Sequence, residues 1–261
     1  MEMNTGKEVI LLCVGALLVL AGCSVKEDRS LCPCRLNLDF TQVDTLDVST
    51  VRVCVSESGR LLEDLSLNAG DFYPSCFLDV KRSELDLNIC SGDRGLWHGP
   101  SGLQIPYGED CPPLYLHSSV IDTQGEVVDE LVLLRKNHCV MTMVLETFDC
   151  RNCQLKITGN VNGYDMSGCP SEGPFEYIPV VQDGVSRVVL PRQVDSSLML
   201  EVDDGTDVLK RFALGEYMAA GGYDWKAADL SDVTVNVNWT VTEVAIRLEG
   251  WDWIYEYEIV L

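Results

Sequence analysis

Positive charge is scarce in this sequence. The 261 residues include 19 lysines and arginines against 41 aspartates and glutamates, which gives a formal net charge of −22 at pH 7. A chain this acidic repels phosphate backbones and anionic head groups, so we exclude nucleic acid as a partner. The simplest interpretation of the acidity is solubility.

Histidine and catalytic motifs are also rare. The three histidines, His98, His117 and His138, are widely separated, and HExxH, GxSxG and phosphate-binding P-loop motifs are absent. The aspartate-rich stretch 203–207 lacks the later glutamate of an EF-hand, so we interpret it as a turn. We predict a non-enzymatic protein that uses no cofactor and no metal ion.

Long hydrophobic runs are missing except at the N-terminus. The twelve-residue apolar run Val9–Leu20 is preceded by Lys7. A membrane-spanning helix needs about 20 apolar residues, whereas this length fits an export signal. The closing sequence Leu20-Ala21-Gly22-Cys23 resembles the lipobox of bacterial lipoproteins, in which the cysteine is acylated and the preceding peptide is removed. We therefore predict a lipoprotein signal peptide over residues 1–22 and lipid (palmitate) on Cys23. The alternative is a secreted protein with a chance cysteine.

The segment after Cys23 has the composition of a flexible tether. Residues 24–30 contain one apolar residue and show no periodicity, which predicts a solvated tether over 23–31. Lys26-Glu27-Asp28 resembles the short signal that directs lipoproteins of Bacteroidetes to the outer leaflet. We therefore expect a protein that is lipid-anchored in the outer membrane and exposed at the cell surface.

Cysteine, by contrast, is abundant. Of the twelve cysteines, Cys13 leaves with the signal peptide and Cys23 takes the lipid. Export places the remaining ten in an oxidising compartment, and their even number fits full pairing in disulfides of open connectivity. These ten are Cys32, Cys34, Cys54, Cys76, Cys90, Cys111, Cys139, Cys150, Cys153 and Cys169.

Two cysteine motifs have particular spacings. Cys32 and Cys34 share one face of an extended strand and cannot easily bridge each other, so we predict disulfides from both to neighbouring strands. Pro33 between them donates no hydrogen bond, which indicates an edge strand or a strand start. Zinc bound jointly with Cys150 and Cys153 is a weaker alternative. The sequence around Cys150-Arg151-Asn152-Cys153 predicts a hairpin turn with a structural role rather than a redox site.

Alternation of apolar and polar residues dominates the mature chain. Such runs, rich in β-branched residues, predict strands with one buried face; they lie at 51–55, 85–90, 127–134, 138–147, 186–190, 198–202, 233–239 and 244–248. One helix is predicted, at Leu214–Ala220. Many short strands without a βαβ rhythm predict antiparallel β-sandwiches. A Pro- and Gly-rich stretch, Gly99–Pro113, places a boundary near residue 122, giving an N-terminal β-sandwich over 32–121 and a C-terminal β-sandwich over 122–261.

Several segments, in this order behind a lipobox, give the sequence a family resemblance. They are LCPCRLNLDF, VRVCVSESGRLLED, GNVNGYDMSG, RFALGEYMAAGGYDW, VTVNVNW and LEGWDWIYEYEI. Together they resemble the fimbrial anchor lipoproteins of Bacteroidetes. The resemblance implies two tandem transthyretin-like antiparallel β-sandwich domains. It implies a subunit that anchors a fimbria, limits its length and joins other fimbrial subunits by β-strand addition. A fimbrial stalk or tip subunit and a surface glycan-binding lipoprotein stay open as alternatives.

The family resemblance implies a role for each end of the mature chain. An N-terminal strand near Arg35–Phe40 would carry the tether, and cleavage at Arg29 or Arg35 would free the subunit from the membrane. A possible donor strand lies at the C-terminus, where alternate side chains share one face: Trp253, Tyr255, Tyr257, Ile259 and Leu261. The alternative is that this segment closes its own sandwich. With Trp251, the aromatic residues could also form a sugar-stacking platform, although one aromatic sheet face is the simpler interpretation.

Overall fold

The structure is a computed structural model that describes residues 32–91, 102–146, 154–165, 167–203, 208–238, 243–249 and 254–260. Strands dominate these ranges, with two short helices, α1 (Ala69–Phe72) and α2 (Leu214–Ala220). The predicted all-β class is confirmed. Within the same ranges, no helix has the length and hydrophobicity needed to cross a membrane.

A first hydrophobic core is enclosed by two sheets. The three-stranded sheet has the order β4 (Ser75–Val80), β1 (Cys34–Asp39), β8 (Val127–Leu131). The five-stranded sheet has the order β3 (Arg60–Asn68), β2 (Thr50–Glu57), β5 (Glu84–Ser91), β7 (Tyr115–Asp122), β9 (Arg135–Lys136). Leu36, Val53 and Leu87, from both sheets, have no exposed surface. Each lies at an inward-facing position of its own strand, which agrees with the alternation of apolar and polar residues in the sequence.

A second core lies between two further sheets and α2. The six-stranded sheet has the order β13 (Val181–Gln182), β14 (Val185–Pro191), β10 (His138–Glu146), β17 (Asp232–Asn238), β18 (Glu243–Glu249), β19 (Ile254–Val260). The other has the order β12 (Pro170–Tyr177), β11 (Gln154–Tyr164), β15 (Met199–Asp203), β16 (Val208–Phe212), with β6 (Leu103–Gln104) also pairing β11. Met141, Leu155 and Val235 are fully buried in this core.

Local sequence signals account for several element boundaries. β2 and β3 form a hairpin in which Glu57 pairs with Arg60 around Ser58 and Gly59. Both turn residues have positive φ, 50° and 78°, as a two-residue turn between twisted strands requires, and glycine adopts this conformation without strain. The predicted helix over 214–220 is confirmed at its stated bounds. Helix α1 was not predicted, because four residues are too few to show a helical period.

The chain passes between the two cores more than once. Leu103 and Ile105 lie in the second core, Ile121 and Val132 in the first, and Cys139 again in the second. Strand β8, which follows residue 122, pairs with β1, which precedes it. The boundary near residue 122, with domains over 32–121 and 122–261, therefore stays a prediction.

Candidate functional site

Strand β1 directly follows the predicted tether and is the candidate anchoring element. It begins at Cys34, immediately after Pro33, so the prediction of a strand start is confirmed. The strand lies at the centre of its sheet rather than at an edge, because β4 and β8 flank it. The predicted N-terminal strand near Arg35–Phe40 is thus present.

The backbone of β1 is hydrogen-bonded on both sides. It pairs antiparallel with β4, from Cys34 opposite Val80 to Asp39 opposite Ser75, and parallel with β8 over Arg35–Asp39. Beyond the strand end, the Phe40 N–H donates to the Pro74 carbonyl at 2.8 Å. On the other side, the Val132 N–H donates to the Asp39 carbonyl at 2.8 Å. Pulling β1 out would break both ladders together.

The inner face of β1 is fully buried. Cys34, Leu36, Leu38 and Phe40 have 0% exposure, and the Phe40 ring lies 4.8 Å from the Phe72 ring. Burying one such apolar side chain contributes about 1.5–3 kcal/mol. The total stability of a domain is about 5–15 kcal/mol, so this strand supplies a large part of the stability of the first core.

The outer face of β1 is polar and locally paired. The Arg35 guanidinium lies 4.9 Å from the centre of the half-exposed Phe77 ring, a cation–π contact. Asn37 Nδ2 donates to Asp129 Oδ1 at 2.8 Å. Asp39 Oδ1 accepts from the Thr41 N–H at 2.8 Å, which lowers the pKa of the Asp39 carboxyl. Arg35, one of the two predicted cleavage positions, therefore lies inside a paired strand; Arg29, the other, is outside the described residues.

The eight cysteines that the structure describes fall into three groups by exposure. Two are exposed, Cys32 and Cys169; one is half-buried, Cys76; and five are buried, Cys34, Cys54, Cys90, Cys111 and Cys139. Cys150, Cys153 and the lipidation residue Cys23 lie outside the described residues. None of the eight described cysteines is bonded to another, so the disulfides stay a prediction.

The sheet register limits which cysteines can pair. Cys34 lies opposite Val80, and Cys76 lies opposite Leu38. The two cysteines are thus four residues apart along the strands, about 13 Å, which is too far for a disulfide. Cys54 and Cys90 are diagonal neighbours on β2 and β5, because Cys54 lies opposite Asn88 and Cys90 opposite Arg52. Diagonal Cα atoms are about 7–8 Å apart, so a bridge there would need a small approach of the strands.

Burial makes the thiols of the buried cysteines poor nucleophiles and poor metal ligands. It raises the pKa of Cys54 to about 11 and the pKa of Cys139 to about 12. Both stay protonated at neutral pH, whereas attack and metal binding require the thiolate. In the part of the chain that the structure describes, no three His, Cys, Asp or Glu side chains are grouped to hold a metal ion.

The C-terminal segment forms the outer strand of the six-stranded sheet. β19 pairs antiparallel with β18, with Tyr257 opposite Ile246 and Ile259 opposite Val244. Trp251, Trp253 and Leu261 lie outside the described residues. The backbone pairing is compatible with closure of the chain's own sheet and leaves the second edge of β19 unpaired among the described strands. The donor role and the sugar platform stay predictions.

A half-buried arginine, Arg192, is the centre of a hydrogen-bonded cluster that the sequence does not predict. Arg192 Nε donates to Asn137 Oδ1 at 2.8 Å, and the guanidinium also donates to the carbonyls of Trp225, Ala227 and Ala228. The Tyr164 hydroxyl accepts from the Arg192 N–H at 2.7 Å and donates to the Asn137 carbonyl. This cluster fixes the loop before β17 to the end of β14. A lone arginine after a strand carries no periodic signal that would reveal it.

His138 is buried at the start of β10, where it contacts the backbone of Leu114. The residue is 3% exposed, and its Nδ1 lies 3.0 Å from both the backbone nitrogen and the carbonyl oxygen of Leu114. Burial lowers the pKa of His138 below its usual range. The folded protein therefore favours the neutral imidazole.

We expect the free energy of unfolding to fall as the pH drops below about 6.5, the ordinary pKa of histidine in an unfolded chain. Below that pH the unfolded state takes up a proton that the folded state, with its lowered pKa, resists. Urea unfolding at pH 7.5 and 5.5 measures the loss. The variant His138→Asn keeps a hydrogen-bond acceptor but does not titrate, so it should lose less stability between these pH values. An equal loss in both proteins would contradict the prediction.

Solved structures of proteins from Bacteroidetes share this all-β fold. No protein-family model matches the sequence, and no curated protein matches it. Among solved structures, the fimbrial anchor protein Mfa2 from Porphyromonas gingivalis aligns with a TM-score of 0.61 and 12% identity, covering 87% of this chain and 100% of that one. The fimbrial resemblance seen in the sequence is thus confirmed at the level of the fold.

Two further solved structures share this fold. A DUF1812 protein from Bacteroides thetaiotaomicron, provisionally described as polysaccharide-binding, has a TM-score of 0.65 and 13% identity, covering 86% of this chain and 98% of that one. A protein from Bacteroides ovatus, provisionally described as an adhesin, has a TM-score of 0.57 and 16% identity, covering 90% and 97%. Identities this low establish the fold and leave the function to be argued from the residues.

Proposed function

We propose that this chain is a non-enzymatic outer-membrane lipoprotein that anchors a cell-surface fimbria and limits its length. The observation that carries the proposal is the position of β1. Only residues 24–33 separate the predicted lipid on Cys23 from a strand that is paired on both sides and fully buried on its inner face. A load on the fimbria would therefore pass from the membrane into the centre of a sheet.

A role at the end of the polymer requires that the protein keeps β1. In the family that the sequence resembles, stalk and tip subunits lose their N-terminal strand to an arginine-specific protease, and a strand of another subunit fills the groove. Here, cleavage at Arg29 or Arg35 would separate the fold from its lipid. An anchor must keep the strand, so the groove between β4 and β8 stays occupied by its own chain. The similar fold of a protein described as a fimbrial anchor supports this interpretation.

Replacing Cys23 tests the membrane attachment. We expect Cys23→Ala to move the protein from the membrane to the soluble fraction, because the variant has no thiol to carry the lipid. Each buried methylene of the acyl chains contributes about 0.8 kcal/mol, and stable anchoring needs more than one chain. Cys13→Ala is the matched control, since Cys13 lies in the predicted signal peptide, and should leave the partition unchanged. Fractionation followed by immunoblotting measures both. Unchanged membrane partition of Cys23→Ala would remove the lipoprotein assignment.

Deleting residues 255–261 tests the proposed donor strand. Because β19 is the outer strand of its sheet and pairs with β18 alone among the described strands, we expect the shortened chain to fold and stay on the membrane but to hold no fimbriae. Main-chain pairing with a neighbour, which gives affinity in strand addition, would be lost. Circular dichroism and fimbria counts on cells provide the readouts. Failure of the shortened chain to fold would show that the segment belongs to its own core and would end the donor proposal.

A further inference from the structure

A cleft opens where segments of the two cores meet. Its volume is about 660 Å³, and its lining includes Gln42, Asp47, Tyr115, Arg135, Asp229 and Ser231. Gln42 and Asp47 follow β1, Tyr115 and Arg135 lie on β7 and β9, and the last two precede β17. Sites for small molecules have volumes of about 300–1,000 Å³ and often lie between structural units.

Two of the segments that line the cleft, β9 and the loop before β17, are fixed to each other by charged contacts. Arg135 Nη1 lies 2.9 Å from Asp229 Oδ2, and Lys136 Nζ lies 2.6 Å from Asp232 Oδ1. The backbone adds two bonds: the Lys136 N–H donates to Asp229 Oδ1 at 2.8 Å, and the Leu230 N–H donates to the Lys136 carbonyl at 3.0 Å. This side of the cleft is therefore preformed, which reduces the ordering cost of binding.

The lining combines apolar surface with hydrogen-bond acceptors. Tyr115, Leu133 and Leu134 supply the apolar part, and the Tyr115 ring is supported by an edge contact with the buried His138 ring at 5.3 Å. The carboxylates of Asp47 and Asp229 supply acceptors for hydroxyl groups. A sugar ring has the matching chemistry, since its hydroxyls donate hydrogen bonds and its C–H face packs on apolar and aromatic surface.

The charges of the cleft select against an acidic ligand. Its two cations, Arg135 and Lys136, are both engaged by aspartates, and Asp47 adds a further negative charge. Burial, followed by the surrounding aspartates, raises the pKa of the Tyr115 hydroxyl, which therefore remains a hydrogen-bond donor. An anionic sugar would meet repulsion without a free cation to balance it.

We propose that this cleft is a binding site for a neutral saccharide of two or three sugar rings. The site differs from the C-terminal aromatic strand, and the proposal does not rest on the fimbrial function. An anchor that binds a neutral surface glycan and a glycan-binding lipoprotein without fimbriae are both compatible with it.

Saturation-transfer NMR on the Cys23→Ala full mature chain tests the site, with maltotriose, cellotriose and mannotriose as neutral probes and 3′-sialyllactose as the acidic comparison. We expect saturation transfer to at least one neutral trisaccharide and less to 3′-sialyllactose. Tyr115→Ala and Asp47→Ala should each weaken the bound trisaccharide about tenfold or more, which corresponds to about 1.4 kcal/mol. Tyr107→Ala is the matched control: Tyr107 is 68% exposed and does not line the cleft, so binding should be unchanged.

The two variants differ in their expected effect on folding. Tyr115 packs against the first core, so Tyr115→Ala can also disturb folding, whereas Asp47 is exposed and its replacement leaves the core intact. Absence of transfer to all three neutral probes, stronger transfer to 3′-sialyllactose, or unchanged binding by Asp47→Ala in a folded protein would each overturn the proposal.

Discussion

Replacement of Leu38 by alanine should lower the free energy of unfolding of the first core by about 2–5 kcal/mol. Leu38 lies on β1, the strand between β4 and β8. Its side chain is fully buried in the first core. Truncation removes apolar surface from the core and leaves a cavity that a strand paired on both sides cannot close by moving. Urea unfolding followed by circular dichroism measures the change.

Asn37→Ala is the matched control for this experiment. Asn37 is the neighbour of Leu38 on the same strand, and its side chain lies on the outer face, where it donates to Asp129. Loss of one exposed hydrogen bond typically costs about 0.5–1.5 kcal/mol, which is less than the loss expected for Leu38→Ala. If Leu38→Ala changed stability no more than Asn37→Ala, β1 would not be an integral strand, and the anchoring role assigned to it would lose its basis.

Replacement of Arg192 by alanine should destabilise the second core by about 2–4 kcal/mol, because hydrogen bonds to a charged donor contribute about 1.5–3 kcal/mol each and several are lost together. The guanidinium joins Asn137 to three carbonyls of the loop before β17. Without it, the Asn137 oxygen and those carbonyls lose their partner. Chemical unfolding measures the effect.

Arg187→Ala controls for the loss of a positive charge close to Arg192 in the chain. Arg187 lies on β14 and is exposed, so its replacement should change stability by less than about 0.5 kcal/mol. The loop that Arg192 holds also carries Asp229 and Ser231, so Arg192→Ala should weaken saccharide binding in the cleft as well. Equal stabilities of the two variants would show that the hydrogen bonds of Arg192 do not stabilise the second core.

The strands and the longer helix could be predicted from the sequence because their signals are local. Alternation at 51–55 and 85–90 places successive side chains on opposite faces, and β2 and β5 follow it. The turn at Ser58-Gly59 and the glycines that follow Ala220 mark the ends of their elements. Each of these signals involves residues close together in the chain, so no knowledge of the tertiary structure is needed to interpret them.

Non-local arrangements could not be predicted in the same way. The sequence indicated a strand near Arg35–Phe40, but its central position depends on β4 and on β8, which lies beyond the predicted boundary at residue 122. The Arg192 cluster joins loops from separate parts of the chain. The cleft forms because the segment 42–47 and the loop 229–232 meet at β9, and neither segment carries a motif. A single sequence contains no local signal for contacts between segments that are far apart in the chain.

The central claim is that this protein holds a fimbria at the membrane and ends its growth. The most direct measurement is made on cells lacking the gene, complemented with the wild-type protein or with Cys23→Ala. Electron microscopy gives the fimbria lengths, and immunoblotting of the medium gives the shed fraction. We predict long and shed fimbriae without the protein, normal attached fimbriae with the wild type, and shedding again with Cys23→Ala. Attached fimbriae of normal length in cells without the protein would contradict the claim.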